Sequence, residues 1–394
     1  MRVLLLDVNC KYSSTGKIVY DLYTQLRRNG HEAAIGYGRG TLVREEYIYR
    51  FSPQWEVYIH ALLTRITGYT GRYSPIATRR LIRIIKKFQP DVVHLNDMHG
   101  YFVNIIPLVE YLKKSKIKTV WTFHCEFMYT GKCGHSYECT QWQEKCYKCP
   151  RLKDYPQSWF WDKTEKMFME KKNAFENFSD LVIVSPSKWL ANRIRLSFFK
   201  DKDIRVIYNG IDTSIFRRKD VAKLRKQLQL NNKKIILAVA PNIMSKNKGG
   251  NYVIKLAERM PKQYFIMIGV SEKNLTTPDN VKTIENIKNQ NLLSLYYSLA
   301  DVFIICSERE NYPTTCIEAA ACGAPIVGFD VGGTAETVAE ENGIFVPYGN
   351  IDALQKGVER FLKGDRELLT DKRDYSKERM FKEYLKLYED ICRK

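Results

Sequence analysis

Short, unbroken apolar runs rich in Val, Ile and Leu recur along the chain, bounded by polar turns. They fall at Arg2–Val8, Asp91–Asn96, Thr119–His124, Asp180–Ser185 and Arg205–Tyr208 in the first half, and at Lys234–Ala240, Tyr264–Gly269, Val281–Glu285, Asp301–Cys306, Pro325–Asp330 and Ile344–Pro347 in the second. Runs of this kind suit strands buried on both faces, as in parallel sheets. Between them lie segments with helical apolar spacing. Ile18, Leu22 and Leu26 share one face of Ile18–Asn29, which stops at Gly30-His31, and Asn251–Met260 and the charged Lys377–Cys392 follow the same period. Strand and helix alternate in two sets, which predicts two α/β domains with a cleft between facing strand ends.

At 394 residues the chain has length for two cores. No apolar run is long enough to cross a bilayer. The opening Val3–Leu6 run is too short for the core of a signal peptide and has Asp7 directly behind it, so it reads as a first strand and the protein as cytoplasmic. Without an export signal, the ten cysteines are expected to be reduced thiols or metal ligands. A formal charge of +19 calls for an anionic partner: nucleic acid, acidic lipid or a phosphorylated substrate.

Chemistry is densest in Ser307–Glu336. Glu310 lies in a loop after an apolar run, Pro313-Thr314-Thr315 reads as a helix start, Glu318 falls about a turn inside that helix, and Gly323 stops it. A loop at a strand's carboxyl end leading into a helix amino terminus is where an open α/β sheet holds an anion. Carboxylates accept from vicinal hydroxyls, while free amides and the helix dipole suit phosphate. A nucleotide-sugar needs both kinds of partner, and Gly332-Gly333 adds a turn where backbone can approach a ligand. The alternative is a pair of solvated helix-face acids beside ordinary turns. A second anion cradle is offered by Lys248-Gly249-Gly250 at the start of Asn251–Met260, where a cation and amides could act on one pyrophosphate.

The stretch Glu310-x7-Glu318, Gly323-x-Pro325, Gly332-Gly333 and Glu336 resembles the signature of the family 4 retaining glycosyltransferases. That resemblance implies the α/β GT-B architecture, two facing Rossmann-like domains with a deep interdomain cleft. It also implies transfer of a sugar from a nucleotide-diphosphate sugar to a glycan or lipid-linked acceptor with retention, in surface polysaccharide assembly and with no cofactor required. By the same resemblance His124, Lys248 and Glu310 form the catalytic group. Gly16, Asn242, Lys246, Gly249, Ile287, Thr314, Thr315 and Glu318 line the donor site, with Glu318 on the ribose diol. Asn242 stands where the family usually has an arginine, so either Lys246 compensates or the diphosphate is held by fewer charges. Cys125 follows His124 where the family often has Asp. The Asn209-Gly210-Ile211-Asp212 segment matches the end of the family's first domain. Domains are therefore expected at 1–212 and 213–375, with 376–394 a helix crossing back to the first.

Two features lie outside the signature. An insert at 125–161 carries Cys133, Cys139, Cys146 and Cys149, whose spacing suits a structural zinc clip, buried free thiols or, less readily, a disulfide. Its surrounding aromatics fit either an acceptor-side lid or an aromatic mini-core. From Val57 to Pro90 there are seven Arg or Lys and no acid, with Leu81, Ile84, Ile85 and Phe88 on one helical face. This region suits an anionic membrane surface, making the enzyme peripheral on the cytoplasmic face, and equally suits a core-packing helix with a solvated back. The rival functions are a sugar-nucleotide epimerase or hydrolase on the same architecture and a basic nucleic-acid-binding protein. The second leaves the acids and glycines unexplained, so no nucleic acid is expected as partner.

Overall fold

The structure, a computed structural model, describes residues 1–230, 233–272, 275–364 and 373–393. The chain forms two compact units, Met1–Tyr208 with Met380–Lys394, and Asn209–Arg379. The divisions fall a few residues before the expected 212 and a few after the expected 376.

Unit 1 holds strands β1 (Arg2–Asp7), β2 (Glu32–Tyr37), β3 (Ile48–Arg50), β4 (Val92–Leu95), β5 (Lys118–Thr122), β6 (Leu181–Ser185) and β7 (Asp203–Val206), all parallel, in the order β3-β2-β1-β4-β5-β6-β7. Its helices are α1 (Ser14–Arg28), α2 (Gln54–Thr67), α3 (Pro75–Phe88), α4 (Ile105–Ser115), α5 (Thr164–Phe175) and α6 (Lys188–Arg195). Unit 2 holds α7 (Ala222–Gln227), α8 (Gly250–Arg259), α9 (Gln290–Leu299), α10 (Thr314–Ala321) and α11 (Ile351–Lys363). Its strands β8 (Ile235–Val239), β9 (Tyr264–Ile268), β10 (Val281–Ile284), β11 (Val302–Ile305), β12 (Ile326–Phe329) and β13 (Gly343–Val346) run parallel in the order β10-β9-β8-β11-β12-β13. The last helix, α12 (Lys377–Arg393), covers the unit 1 sheet from Met380 onward.

Both sheets reverse strand order once, between β1 and β4 and between β8 and β11. In a doubly wound sheet the crossovers on either side of that reversal leave in opposite directions, opening a crevice at the strands' carboxyl ends. The apolar runs are buried because helices lie on both faces of the unit 1 sheet. Leu4, Leu6, Val93, Leu95 and Trp121 face one core with α3 and α4, and Val3, Leu5, Val92 and Val120 face another with α1 and α12. The buried imidazole of His94, in the middle of the sheet on β4, is satisfied. Its ring nitrogens lie 2.7 Å from the Tyr388 hydroxyl and 2.8 Å from Thr122 Oγ1, and Thr122 in turn meets the Tyr384 hydroxyl at 2.8 Å. Burial pushes the His94 imidazole down to about 3, so it is a neutral structural group.

The charge-rich Arg217–Lys234 run is helical only over α7 among the described residues, since the run offers little apolar face beyond Leu224 and Leu230. In α3, Ala77, Leu81, Ile85 and Phe88 are buried, so its apolar stripe packs the core while Arg79, Arg80, Arg83, Lys86 and Lys87 are exposed.

Candidate active site

In unit 2 the loop after β8 ends in a single 3-10 turn, Lys246–Lys248, that leads into α8. Gly249 joins the two with φ 71°, and a Cβ there would lie 2.0 Å from the Cys306 carbonyl oxygen. Only glycine allows the start of α8 to sit this close to the end of β11. The Glu308 amide donates to the Asn247 carbonyl at 3.0 Å, knitting the two loops across the switch point. Lys248 Nζ then reaches Glu310 Oε1 at 2.5 Å, with the two side chains 26% and 15% exposed.

The backbone of Glu310 is held from its other side. The Gly333 amide donates to the Glu310 carbonyl at 3.1 Å, and Gly332, at φ 64°, has that same carbonyl 1.7 Å from where a Cβ would be. The glycine pair therefore sets the position of the acid, and the lysine sets its direction. Thr314 and Thr315, both half-buried, open α10, whose N-cap Pro313 provides no side-chain cap, so the first-turn amides are left as donors. Glu318 is 8% exposed and accepts from the Tyr297 hydroxyl at 3.0 Å through Oε2. Burial first, then the neighbouring Glu318 carboxylate, raises the Tyr297 phenol well above its ordinary value, so it stays a donor. Asn242 and Lys246 are exposed, and Lys246 does not share the direction of Lys248, because residues two apart on a 3-10 turn point to different sides. The Asn286 amide donates to the Pro241 carbonyl at 2.8 Å, fastening the turn with half-buried Ile287 to the loop that carries Asn242.

Unit 1 has its own cluster at the matching switch point. Gly16 is buried in the first turn of α1, its amide donating to Ser13 Oγ at 3.2 Å. The adjacent Thr15 hydroxyl donates to Asp7 Oδ2 at 3.1 Å, and the Asp97 amide donates to Asp7 Oδ1 at 2.9 Å. Burial, then the Asp97 charge, raises the Asp7 carboxyl far above the usual carboxylate range. Asp97 lies 3.1 Å from His99 Nε2. Burial works to lower that imidazole, but Asp97, Cys125 and Asp7 outweigh it and lift it to about 10. His124, just beyond β5, stands 3.2 Å from Asn96 Oδ1, and burial pulls it down to about 4, leaving a neutral ring. Sequence reading selected Gly16 and His124 here and missed Asp7, Asp97 and His99. The available signal was an acid directly behind each of two buried apolar runs.

The insert is ordered by polar groups that the sequence reading did not single out. Lys132, 2% exposed, donates to the carbonyls of Arg151, Leu152 and Asp154 at 2.8, 2.9 and 2.9 Å. Buried Glu126 accepts from Ser136 and from Arg193 Nε, each amide or guanidinium bond at 2.7 Å, which fastens the insert to α6. Cys133 and Cys149 share a thiol hydrogen bond, and Cys146 Sγ accepts from the Gly131 amide at 3.2 Å. Among the described residues no group of three or more His, Cys, Asp or Glu side chains is placed to hold a metal ion, so the zinc expectation for Cys133, Cys139, Cys146 and Cys149 keeps only its spacing. The aromatics divide: Trp121, Tyr129 and Trp142 are core, whereas Trp159, Phe160 and Trp161 are exposed.

Two doubly wound sheets, each with polar groups gathered at its switch point, define the fold class of the GT-B glycosyltransferases. A family model described as Glycosyltransferase Family 4 matches residues 15–215, and one described as Glycosyl transferases group 1 matches residues 220–379. The chain belongs to glycosyltransferase family 4 and is a hexosyltransferase-type enzyme. It is 22% identical over 366 residues to WcaC of Escherichia coli (strain K12), provisionally named a colanic acid biosynthesis glycosyl transferase, covering 87% of this chain and 86% of that one. Among solved structures, sucrose-phosphate synthase from Thermosynechococcus elongatus superposes with a TM-score of 0.71 at 18% identity, over 99% of this chain and 98% of that one. Anabaena Alr3699/HepE in complex with UDP-glucose gives a TM-score of 0.66 at 13% identity, over 99% of this chain and 100% of that one.

Proposed function

We propose that this protein transfers a sugar from a nucleotide-diphosphate donor to a glycan or lipid-linked acceptor with retention of anomeric configuration, in the assembly of a surface polysaccharide. The observation that carries the reading is the Lys248–Glu310 pair at 2.5 Å beside the amino termini of α8 and α10. It sets a cation, amide donors and a carboxylate within one loop cluster, the set of partners that a sugar diphosphate requires. The UDP-glucose held by HepE, a protein of the same fold, supports the donor class, and the name of WcaC supports the polysaccharide role.

In the reaction, the bond between the anomeric carbon and the diphosphate oxygen breaks with its electron pair passing to the diphosphate. The acceptor oxygen bonds the same face of that carbon, and its proton passes to the departing phosphate. Negative charge grows on the leaving group, so Lys248 and the first amides of α8 and α10 bind it more tightly in the transition state than in the ground state. Glu310 holds sugar hydroxyls and Glu318 the ribose diol. His124 in unit 1 has a neutral ring at pH 7 and can donate or accept a hydrogen bond without adding charge. These groups require no metal of their own to balance the diphosphate.

The test is a panel of nucleotide sugars screened by thermal shift, followed by transfer assays with the stabilising donor and NMR of the product's anomeric configuration. A stabilising donor and a product of unchanged configuration are expected. Inversion would overturn the same-face step, and release of free sugar with no acceptor dependence would favour the hydrolase.

A further inference from the structure

Helix α2 is built inside out. Its buried side chains are Glu56, Val57, His60 and Thr64, three of them polar, while Trp55, Tyr58, Ile59, Leu62 and Ile66 are exposed. Those five positions recur at helical spacing and so form one continuous outer stripe. Tyr58 is 66% and Leu62 49% exposed. Two of the inward polar groups are used: the Glu56 carboxylate accepts from the Ile76 and Ala77 amides at 2.8 and 2.9 Å, capping α3, and His60 Nδ1 meets Ser74 Oγ at 2.8 Å. Burial lowers the His60 imidazole to about 3, so nothing charged faces inward from it.

The stripe continues past the end of the helix. The Trp159 amide donates to the Arg65 carbonyl at 2.7 Å, which pins Trp159, Phe160 and Trp161 across the last turn of α2. Phe160 and Trp161 are 69% and 60% exposed. Exposed apolar side chains on a water-facing surface are normally scattered; a helix stripe joined to three consecutive aromatics is a contiguous patch, and patches of this kind mark a partner.

We propose that the outer face of α2 and the Trp159–Trp161 loop dock on the interfacial layer of an anionic lipid bilayer. The charge around the patch selects this occupant. Arg79, Arg80, Arg83, Lys86 and Lys87 are exposed on α3, the helix that Glu56 caps, and no acid occurs between Val57 and Pro90. Aromatic side chains inserted at headgroup depth, with Arg and Lys beside them, are the pairing that anionic membrane surfaces take up. The sequence left the basic region 57–90 open between a membrane surface and a core-packing helix with a solvated back. The buried apolar stripe of α3 shows that this helix supplies charge, and α2 with the aromatic loop supplies the insertion. The proposal deepens the lipid-linked reading of the acceptor, and its test reads binding, so that its failure leaves the transferase reading standing.

The experiment is flotation of the full-length protein with vesicles of phosphatidylcholine alone and with about one third phosphatidylglycerol. We expect it to float with the anionic vesicles, to lose on the order of fivefold in partition for each exposed basic residue removed, and to release at high salt. Leu62→Ser with Phe160→Ser should lower partition at least tenfold while the unfolding temperature stays put, since both side chains are exposed. Tryptophan emission should shift to the blue on adding vesicles and be quenched by bromine-labelled acyl chains, a readout on the unaltered protein that does not depend on the variant folding. Equal flotation of wild type and variant, or no flotation at all, would overturn the proposal. A wild-type dimer that the double variant converts to a monomer, with no vesicle binding, would show that a second copy of the chain covers the patch instead.

Discussion

Replacing Lys248 by Met keeps most of the aliphatic stem and removes the charge that meets Glu310 at 2.5 Å. Two separate costs follow. The first is catalytic: deleting one preorganised group that stabilises developing negative charge typically costs about 3–4 kcal/mol, or roughly 10²–10³ in kcat. The second is structural. Side chains 26% and 15% exposed lie between surface pairs and fully buried ones, so breaking the pair and leaving Glu310 uncompensated should cost about 1–3 kcal/mol. For a unit of this size that lowers Tm by roughly 2–4 °C per kcal/mol. The assay is initial-rate transfer at varied donor concentration together with thermal unfolding of the same preparations. A fall in kcat with little change in KM is expected, because the charge is needed most in the transition state. An unchanged kcat alongside a lowered Tm would make the pair purely structural and end the mechanism. A raised KM at constant kcat would leave Lys248 as a binding residue only.

Gly332→Ala forces a Cβ to within 1.7 Å of the Glu310 carbonyl at φ 64°, so the loop must move; loss of most transfer activity and about 1–3 kcal/mol of stability is expected, read by rate and denaturant midpoint. Glu56→Ala removes two amide bonds that cap α3 from a buried carboxylate, and should destabilise unit 1 by about 2 kcal/mol without changing donor affinity. Asp7 is raised, so the folded state keeps its proton to higher pH than the unfolded chain, and stability falls as pH rises from the ordinary carboxylate range upward. Asp7→Asn should therefore flatten the decline in denaturant midpoint between about pH 5 and 8, by up to about 1.4 kcal/mol per pH unit. His99 acts alongside it: its raised value gives stability that is fully present below about pH 6.5 and is lost as pH climbs through about 10, so the Asp97→Asn variant should show that alkaline loss at lower pH.

The parallel strands were legible because burial on both faces leaves an apolar run that no other element mimics well at that length. The strands at one side of the unit 1 sheet were not: Glu32–Tyr37 is built of Ala, Gly and Ile with little period, and the edge strand Ile48–Arg50 is three residues long. Lys248, Glu310 and Gly249 could be read together since motif spacing places them, and the structure brings them to one switch point. The unit 1 cluster was hidden because Asp7, Asp97 and His99 meet only through strand order, with β1 and β4 made neighbours by a crossover that local sequence does not announce. Helix α2 was hidden for a different reason. Its polarity is reversed, so the residues that look like a core face water, and Glu56, which looks like a solvated charge, is a buried cap.

The hydrogen bonds that pair Tyr384 with Thr122 and Tyr388 with His94 have a consequence for biosynthesis. Unit 1 is encoded first yet is completed last, because α12 leaves the ribosome only after every strand of unit 2 has been made. Until then one side of the first sheet has α1 but lacks the rest of its cover, and a mid-strand imidazole lacks a hydrogen-bond partner. Nascent chains should therefore acquire a protease-resistant second unit before a resistant first one, reversing the usual amino-to-carboxyl order.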